Sequence, residues 1–187
     1  IAPGEREHAD HATELALQLF EQTRALHELD ATAEELLEAA GLLANVGLFV
    51  AHDRHHLHSY YIIRHSDLLT GFTDHEVELI ALVARYHRKS APKSTHLEFA
   101  RLAHADQQLV RVLAGFLRLG FALDRTRTGA VKAVKATVDG GGRRPQLLLE
   151  LDTGGDDVEL ERYTSEERKG LLESALGASV VLASERA

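Results

Sequence analysis

The sequence predicts an α+β fold, mainly α, with an all-helical domain over residues 1–126 and a small antiparallel β-sheet domain with one helix over residues 127–187. Three observations predict it. Up to about residue 126 apolar residues recur at spacings of three and four, and two T-x-x-E capping boxes punctuate that stretch. After Asp124 β-branched runs, alternation and glycine turns take over. In the segment 5–29, Ala12, Leu15, Ala16, Leu19, Phe20, Thr23 and Leu26 form the stripe of an amphipathic helix. Thr32 and Glu35 form the first capping box and open a second helix that Gly47 stops. A third helix is expected over 55–69, with Leu57, Tyr60, Tyr61, Arg64 and Leu68 on one side and Gly71 as its end. Thr73 and Glu76 form the second box, and Val77, Ile80, Ala84 and His87 continue one face of a fourth helix. Pro92 interrupts the chain, and helical patterns resume over about 95–104 and 106–122, the latter apolar at Leu109, Leu113, Leu117 and Gly120. Beyond Asp124, "AVKAVKATVD", "QLLLELD" and "VELERY" read as three antiparallel strands joined through "GGGRR" and "TGGDD". A helix over about 166–176, ended by Gly177, and a last strand "SVVLAS" complete the chain.

At 187 residues, 44% hydrophobic and 27% charged, the chain can bury a substantial core. No apolar run approaches the roughly eighteen residues of a membrane span, and "IAPGEREHAD" lacks the basic flank and apolar core of a signal peptide. Absence of cysteine removes disulfides and thiolate metal sites and fits a reducing cytoplasm, the expected location. A chain that opens on Ile and enters a helix within a few residues reads as a fragment, a processed product or a trimmed chain. The net charge of −8 conceals a division: residues 1–40 hold ten acidic and two basic side chains, residues 41–149 nine and fifteen, and residues 150–187 ten and four. The basic middle also contains nine of the twelve histidines, so it can attract an anion despite the overall sign. Within it, "HDRHHLHSYYIIRHS" packs five histidines and two arginines into fifteen positions. His52, His55, His56 and His58 have a spacing that lets imidazoles share a metal, although Asp67 is the one carboxylate following at helical spacing.

Two phrases, "HHLHSYYIIRHSDLLTGFTDHE" and "VARYHRK", resemble the H-H-K-H-S/G-x-Y and R-Y-H-R runs of the exopolyphosphatase and guanosine pentaphosphate phosphatase family, in its C-terminal half. "LRLGFALDR" is similar to that family's R-I-A-D-G-L-D-R segment, and the resemblance runs from roughly residue 8 to residue 183. It implies an HD-like helical domain, a fold that in active members binds a divalent ion through a His, a His-Asp pair and a later Asp. Matched position by position, these ligands fall at His11, Ala44, Asn45 and Phe121, while Asp124 matches the other Asp of the segment. Ala and Phe carry no donor, so neither a metal ligand nor a catalytic residue is assigned here. Mg2+ or Mn2+ is expected for the full-length enzyme, whose actin-like catalytic lobes would lie outside this sequence.

The implied function is to hold inorganic polyphosphate or a guanosine polyphosphate for cleavage by those N-terminal lobes, as part of an acid-anhydride phosphohydrolase. A dense row of phosphate oxygens calls for donors along a track: Arg as a planar fork, Lys as a point charge, His with one or two N–H groups. The candidates are Arg54, His55, His56, His58 and Arg64 on the third helix, with Arg85, His87, Arg88, Lys89 and Lys93 at the end of the fourth. Arg118, Arg125 and Arg127 extend this face if the sixth helix lies beside it, and Leu57, where relatives often carry Lys, lowers its charge by one. A homodimer is expected, with no membrane and no specific nucleic-acid partner. Two alternatives stay open: an autonomous HD-type metal-dependent phosphohydrolase using the histidine cluster, and a non-catalytic dimerisation module whose histidines merely solvate or pack.

Overall fold

The computed structural model describes residues 3–183. Helix α1 (Pro3–Gln22) continues after a kink at Thr23 into the short α2 (Arg24–His27), which Glu28 ends in a left-handed conformation. Ala12, Leu15, Ala16, Leu19 and Phe20 are all fully buried, as the stripe requires. Helix α3 (Ala31–Leu43) is capped by Asp30, whose Oδ1 accepts from the Ala33 amide at 3.0 Å. The expected Thr32/Glu35 box is therefore corrected: an extended Asp two residues earlier satisfies the free amide, and Thr32 already lies in the first turn. A 3-10 turn (Val46–Phe49) leads to α4 (His55–Arg64), shorter than the expected 55–69. The buried side of α4 is also corrected. His55, His56, Ser59 and Ile63 face inward, whereas Tyr61 and Leu68 are exposed.

Helix α5 (Asp74–Arg85) opens with the expected reciprocal box: Glu76 N donates to Thr73 Oγ1, and Thr73 N to Glu76 Oε2 at 2.7 Å. A one-turn α6 (Leu97–Ala100) follows, then α7 (His104–Leu123), buried almost all round from Val112 onward and so the central strut of the fold. Its approach to α1 depends on Gly120, where a Cβ would come within 2.2 Å of the Ala12 carbonyl.

The C-terminal part departs from expectation in two ways. Strands β1 (Ala133–Asp139) and β2 (Gln146–Asp152) pair antiparallel, but "VELERY" belongs to α8 (Glu159–Arg168), followed by α9 (Gly170–Leu176). The apparent alternation hid a helical period: Val158, Glu161, Thr164 and Ser165 are buried, while Leu160, which a strand would turn inward, is exposed. β3 (Ser179–Leu182) then returns parallel to β2, because two helices supply the long crossover that a parallel pair needs. The sheet is thus mixed, in the order β1-β2-β3, and two helices stand where one was expected. Ser184, the end of the expected last strand, lies outside the described residues. The mainly helical α+β class stands.

The sheet and helices share one core, in which Val134, Leu147, Leu149 and Val180 join the residues of α1, α5 and α7. Side chains occupy part of both outer edges of the sheet. On β1, Gln18 Oε1 accepts from Val134 N, Gln22 Nε2 donates to Val134 O, and Gln22 Oε1 accepts from Ala136 N at 2.8 Å. On β3, Val180 N donates to Glu173 Oε1 and Val180 O accepts from Lys169 Nζ, both at 2.8 Å.

Candidate functional site: an arginine-lined pocket

Where α1, the end of α3, α4, the end of α5, α7 and α8 converge, a cavity of about 250 Å3 is lined by His8, Asn45, His55, His87, Arg88, Phe121, Arg125, Arg127 and Arg168. A larger cavity, about 670 Å3, lies against β2; of its carboxylates, Glu150 and Asp156 are paired with Lys135 and Lys132, and Asp152 accepts from Gly154 N.

The floor of the smaller pocket is built from buried polar groups. His8 is 7% exposed and Asp124 2%, and His8 Nδ1 meets Asp124 Oδ2 at 2.7 Å. The other carboxylate oxygen of Asp124 accepts from Gly129 N at 3.0 Å, so both oxygens are committed within the fold. The His8 ring stands edge-on to Phe121 at 5.1 Å, and the His87 ring lies tilted against Phe121 at the same distance. His87 Nδ1 donates to the Ala84 carbonyl, 2.6 Å away. Burial, helped by His55, Arg88 and His56, pushes His87 down to about 3, so this ring is neutral at ordinary pH. Asn45 is held beside α4 because Ser59 Oγ donates to Ala44 O at 2.7 Å and accepts from Gly47 N at 2.9 Å. Gly47 permits that approach: a Cβ there would lie 2.1 Å from the His55 carbonyl.

The walls are cationic. Arg88 Nη1 lies 3.2 Å from both ring nitrogens of His55. Burial and then the nearby Arg125 lower the Arg88 pKa; burial, Arg125 and Arg88 do the same to Arg168. Among the described residues none of Arg88, Arg125 and Arg168 has a carboxylate within ion-pair distance, whereas Arg127 is bound to Glu5. Arg118 fixes the loop that carries Arg88, donating to Tyr86 O at 2.7 Å and to Lys89 O at 2.8 Å. Lys89 takes a left-handed φ of 60° in that turn. Thr126 donates to the buried Glu161 through its amide and its hydroxyl, which holds the loop of Arg125 and Arg127 against α8.

The candidates from sequence separate into two sets. His55, His87 and Arg88 line the pocket, and His56 lies buried beside them with Nδ1 lacking a partner; burial and Arg88 push it down to about 4. Arg64 and Arg85 are instead engaged by Glu78, Asp74 and Glu98, Arg54 contacts its exposed neighbour Asp53, His58 is half-buried, and Lys89 and Lys93 are exposed. His11, the position matched to the first ligand of the HD pattern, turns its Nε2 to the Val131 carbonyl at 2.8 Å; His8, one turn earlier, enters the pocket with Asn45 and Phe121. The α1 stripe carried that signal, since His8 lies four residues before Ala12. Arg168 left no local signal, being brought in by packing of α8 on α7.

A divalent ion does not fit these donors. Phe121 offers none, Asn45 is neutral, both oxygens of Asp124 are used, and guanidinium groups surround the space. Among the described residues no group of three or more His, Asp or Glu is arranged to hold a metal, and no described helix is long and apolar enough to cross a membrane.

Fold and site define a mainly helical domain with a pocket suited to an anion. Residues 5–166 match the family described as Ppx/GppA phosphatase, domain III, and the chain belongs to that family. It is 31% identical over 109 residues to a protein named guanosine-5'-triphosphate,3'-diphosphate pyrophosphatase from Pseudoalteromonas atlantica, a stretch covering 57% of this chain and 22% of that relative. The chain thus spans about a fifth of the length of the curated relative it matches.

Proposed function

We propose that this domain binds the polyanionic substrate of a Ppx/GppA-type phosphatase, inorganic polyphosphate or a guanosine polyphosphate, for hydrolysis by actin-like lobes outside this sequence. The observation that carries this reading is the cluster of Arg88, Arg125 and Arg168, with no carboxylate partner among the described residues, over a buried polar floor. Uncompensated, partly desolvated guanidinium groups are costly in an apo fold and are stabilised by a phosphate that accepts their fork of N–H donors. Mg2+ or Mn2+ would serve the catalytic lobes in the cytoplasm. Exposed apolar side chains such as Phe49 and Leu68 are consistent with contact to those lobes or to a second subunit.

Titration of the chain with long-chain polyphosphate at several salt concentrations tests the proposal. Binding that weakens steadily as salt rises is expected; undetectable or salt-insensitive binding overturns it.

A further inference from the structure

We infer that the pocket is a seat for one compact tetrahedral oxyanion, the end group of a phosphate chain or free orthophosphate, rather than a stretch of groove through which a chain passes. The inference rests on the anion-binding reading above and gives it a narrower substrate.

The shape of the pocket is the first reason. His8, Asn45, His87 and Phe121 are each 7% exposed or less, so the space of about 250 Å3 is closed at its inner end and takes the end of a phosphate chain before its middle. A chain interior needs two openings, whereas an end group needs one.

The placing of the charges is the second. Arg88 follows α5, Arg125 follows α7 and Arg168 ends α8, so three guanidinium groups reach the pocket from three separate elements. That arrangement suits oxygens pointing in several directions from one centre. A terminal phosphoryl group presents three such oxygens with nearly two negative charges at neutral pH; an interior one presents two oxygens and a single charge. Arg127 is already neutralised by Glu5, so it adds little to the net charge.

The third reason lies in the uncharged groups. Asn45 contributes a side-chain amide that can donate, and His8, whose Nδ1–H is given to Asp124, presents Nε2 as an acceptor for the proton that a terminal phosphoryl group or orthophosphate can carry and an interior one cannot. Asp124 thus orients His8 without offering a free carboxylate oxygen to repel the ligand. Orthophosphate, the product when a terminal group is released, has the same chemistry and competes for this seat. The pocket consequently makes the domain sensitive to product.

Calorimetric titration of the chain in chloride buffer with orthophosphate, tripolyphosphate and long-chain polyphosphate tests this. One orthophosphate should bind per chain, and the two polyphosphates should give matching Kd values when concentration is counted in chain ends. Arg168→Gln should weaken all three by about tenfold or more, and orthophosphate should raise the Tm of the wild type but not of this variant. Should Arg168→Gln fail to fold, Arg125→Gln, at an exposed position, carries the same expectation. If long chains bind in proportion to their total phosphate, without competition from orthophosphate and without dependence on Arg168 or Arg125, the seat is refuted while the broader reading survives. If neither orthophosphate nor long-chain polyphosphate binds, that broader reading falls as well.

Discussion

Two sets of arginines, Arg64 and Arg85 on α4 and α5 and Arg88, Arg125 and Arg168 around the pocket, have opposite surroundings. Arg64 reaches Glu78 at 2.5 Å and Asp74 at 2.9 Å, and Arg85 reaches Glu98 at 3.0 Å. Burial works against the charge on Arg64, yet the bonds to Glu78 and Asp74 hold its pKa above the ordinary guanidinium value. Arg88 and Arg168 have no such relief, and burial together with the nearby Arg125 lowers both. Compensated charge ties α4 to α5 and is consumed in folding. Uncompensated charge, held in place by Arg118 and Glu161, remains available to a ligand.

The largest expected effect comes from removing the carboxylate that organises the second set. Asp124→Ala leaves His8 and the Gly129 amide unpartnered and should cost about 3 kcal/mol in urea unfolding, with orthophosphate affinity lost at the same time. Acid should act next. His56 and His87 have folded pKa values near 4 and 3 against 6.5 for the free side chain, so the unfolded chain takes up protons first as pH falls. Their neutral forms are matched to the fold above pH 6.5, and stability should drop through the window below it, by about 2 kcal/mol for each ring between pH 7 and pH 5. Thermal melts across that range check the sign; a Tm that rises on acidification contradicts the burial of these rings. Arg64→Ala should cost about 1–2 kcal/mol and leave orthophosphate affinity unchanged, because its bonds are internal. Loss of binding in that variant would erase the distinction between the sets. Arg168→Gln should do the reverse, changing the free energy of urea unfolding by no more than about 0.5 kcal/mol while weakening orthophosphate binding by about tenfold or more. Arg54→Ala, at an exposed pair, should alter neither quantity measurably.

The helical part was readable from sequence wherever a single periodicity governs burial. The α1 stripe and the Thr73/Glu76 box of α5 follow from spacing and capping chemistry that need no tertiary partner. Reading failed where burial is set by distant neighbours. In α4 the inward face is His55, His56, Ser59 and Ile63 because Ser59 completes the hydrogen bonding of the turn after α3, a demand written nowhere in α4 itself. In α8 the apolar side chain Leu160 points outward while Glu161 is buried for the sake of the Thr126 loop, which makes a helix look like alternation. The pocket was half legible for the same reason. "VARYHRK" drew attention to His87 and Arg88, whereas His8 and Arg168 come from opposite ends of the chain and meet only through α7.

The side chains laid along the sheet edges bear on how the sheet could be extended. Gln18 and Gln22 occupy Val134 and the Ala136 amide on the outward side of β1, and Lys169 and Glu173 occupy Val180 on β3, so these positions are not open to another strand. A partner of this domain is thereby steered away from those positions and toward side chains on the helices and loops. Recognition then depends on residue identity instead of generic backbone pairing, which also protects the sheet from strand-by-strand aggregation.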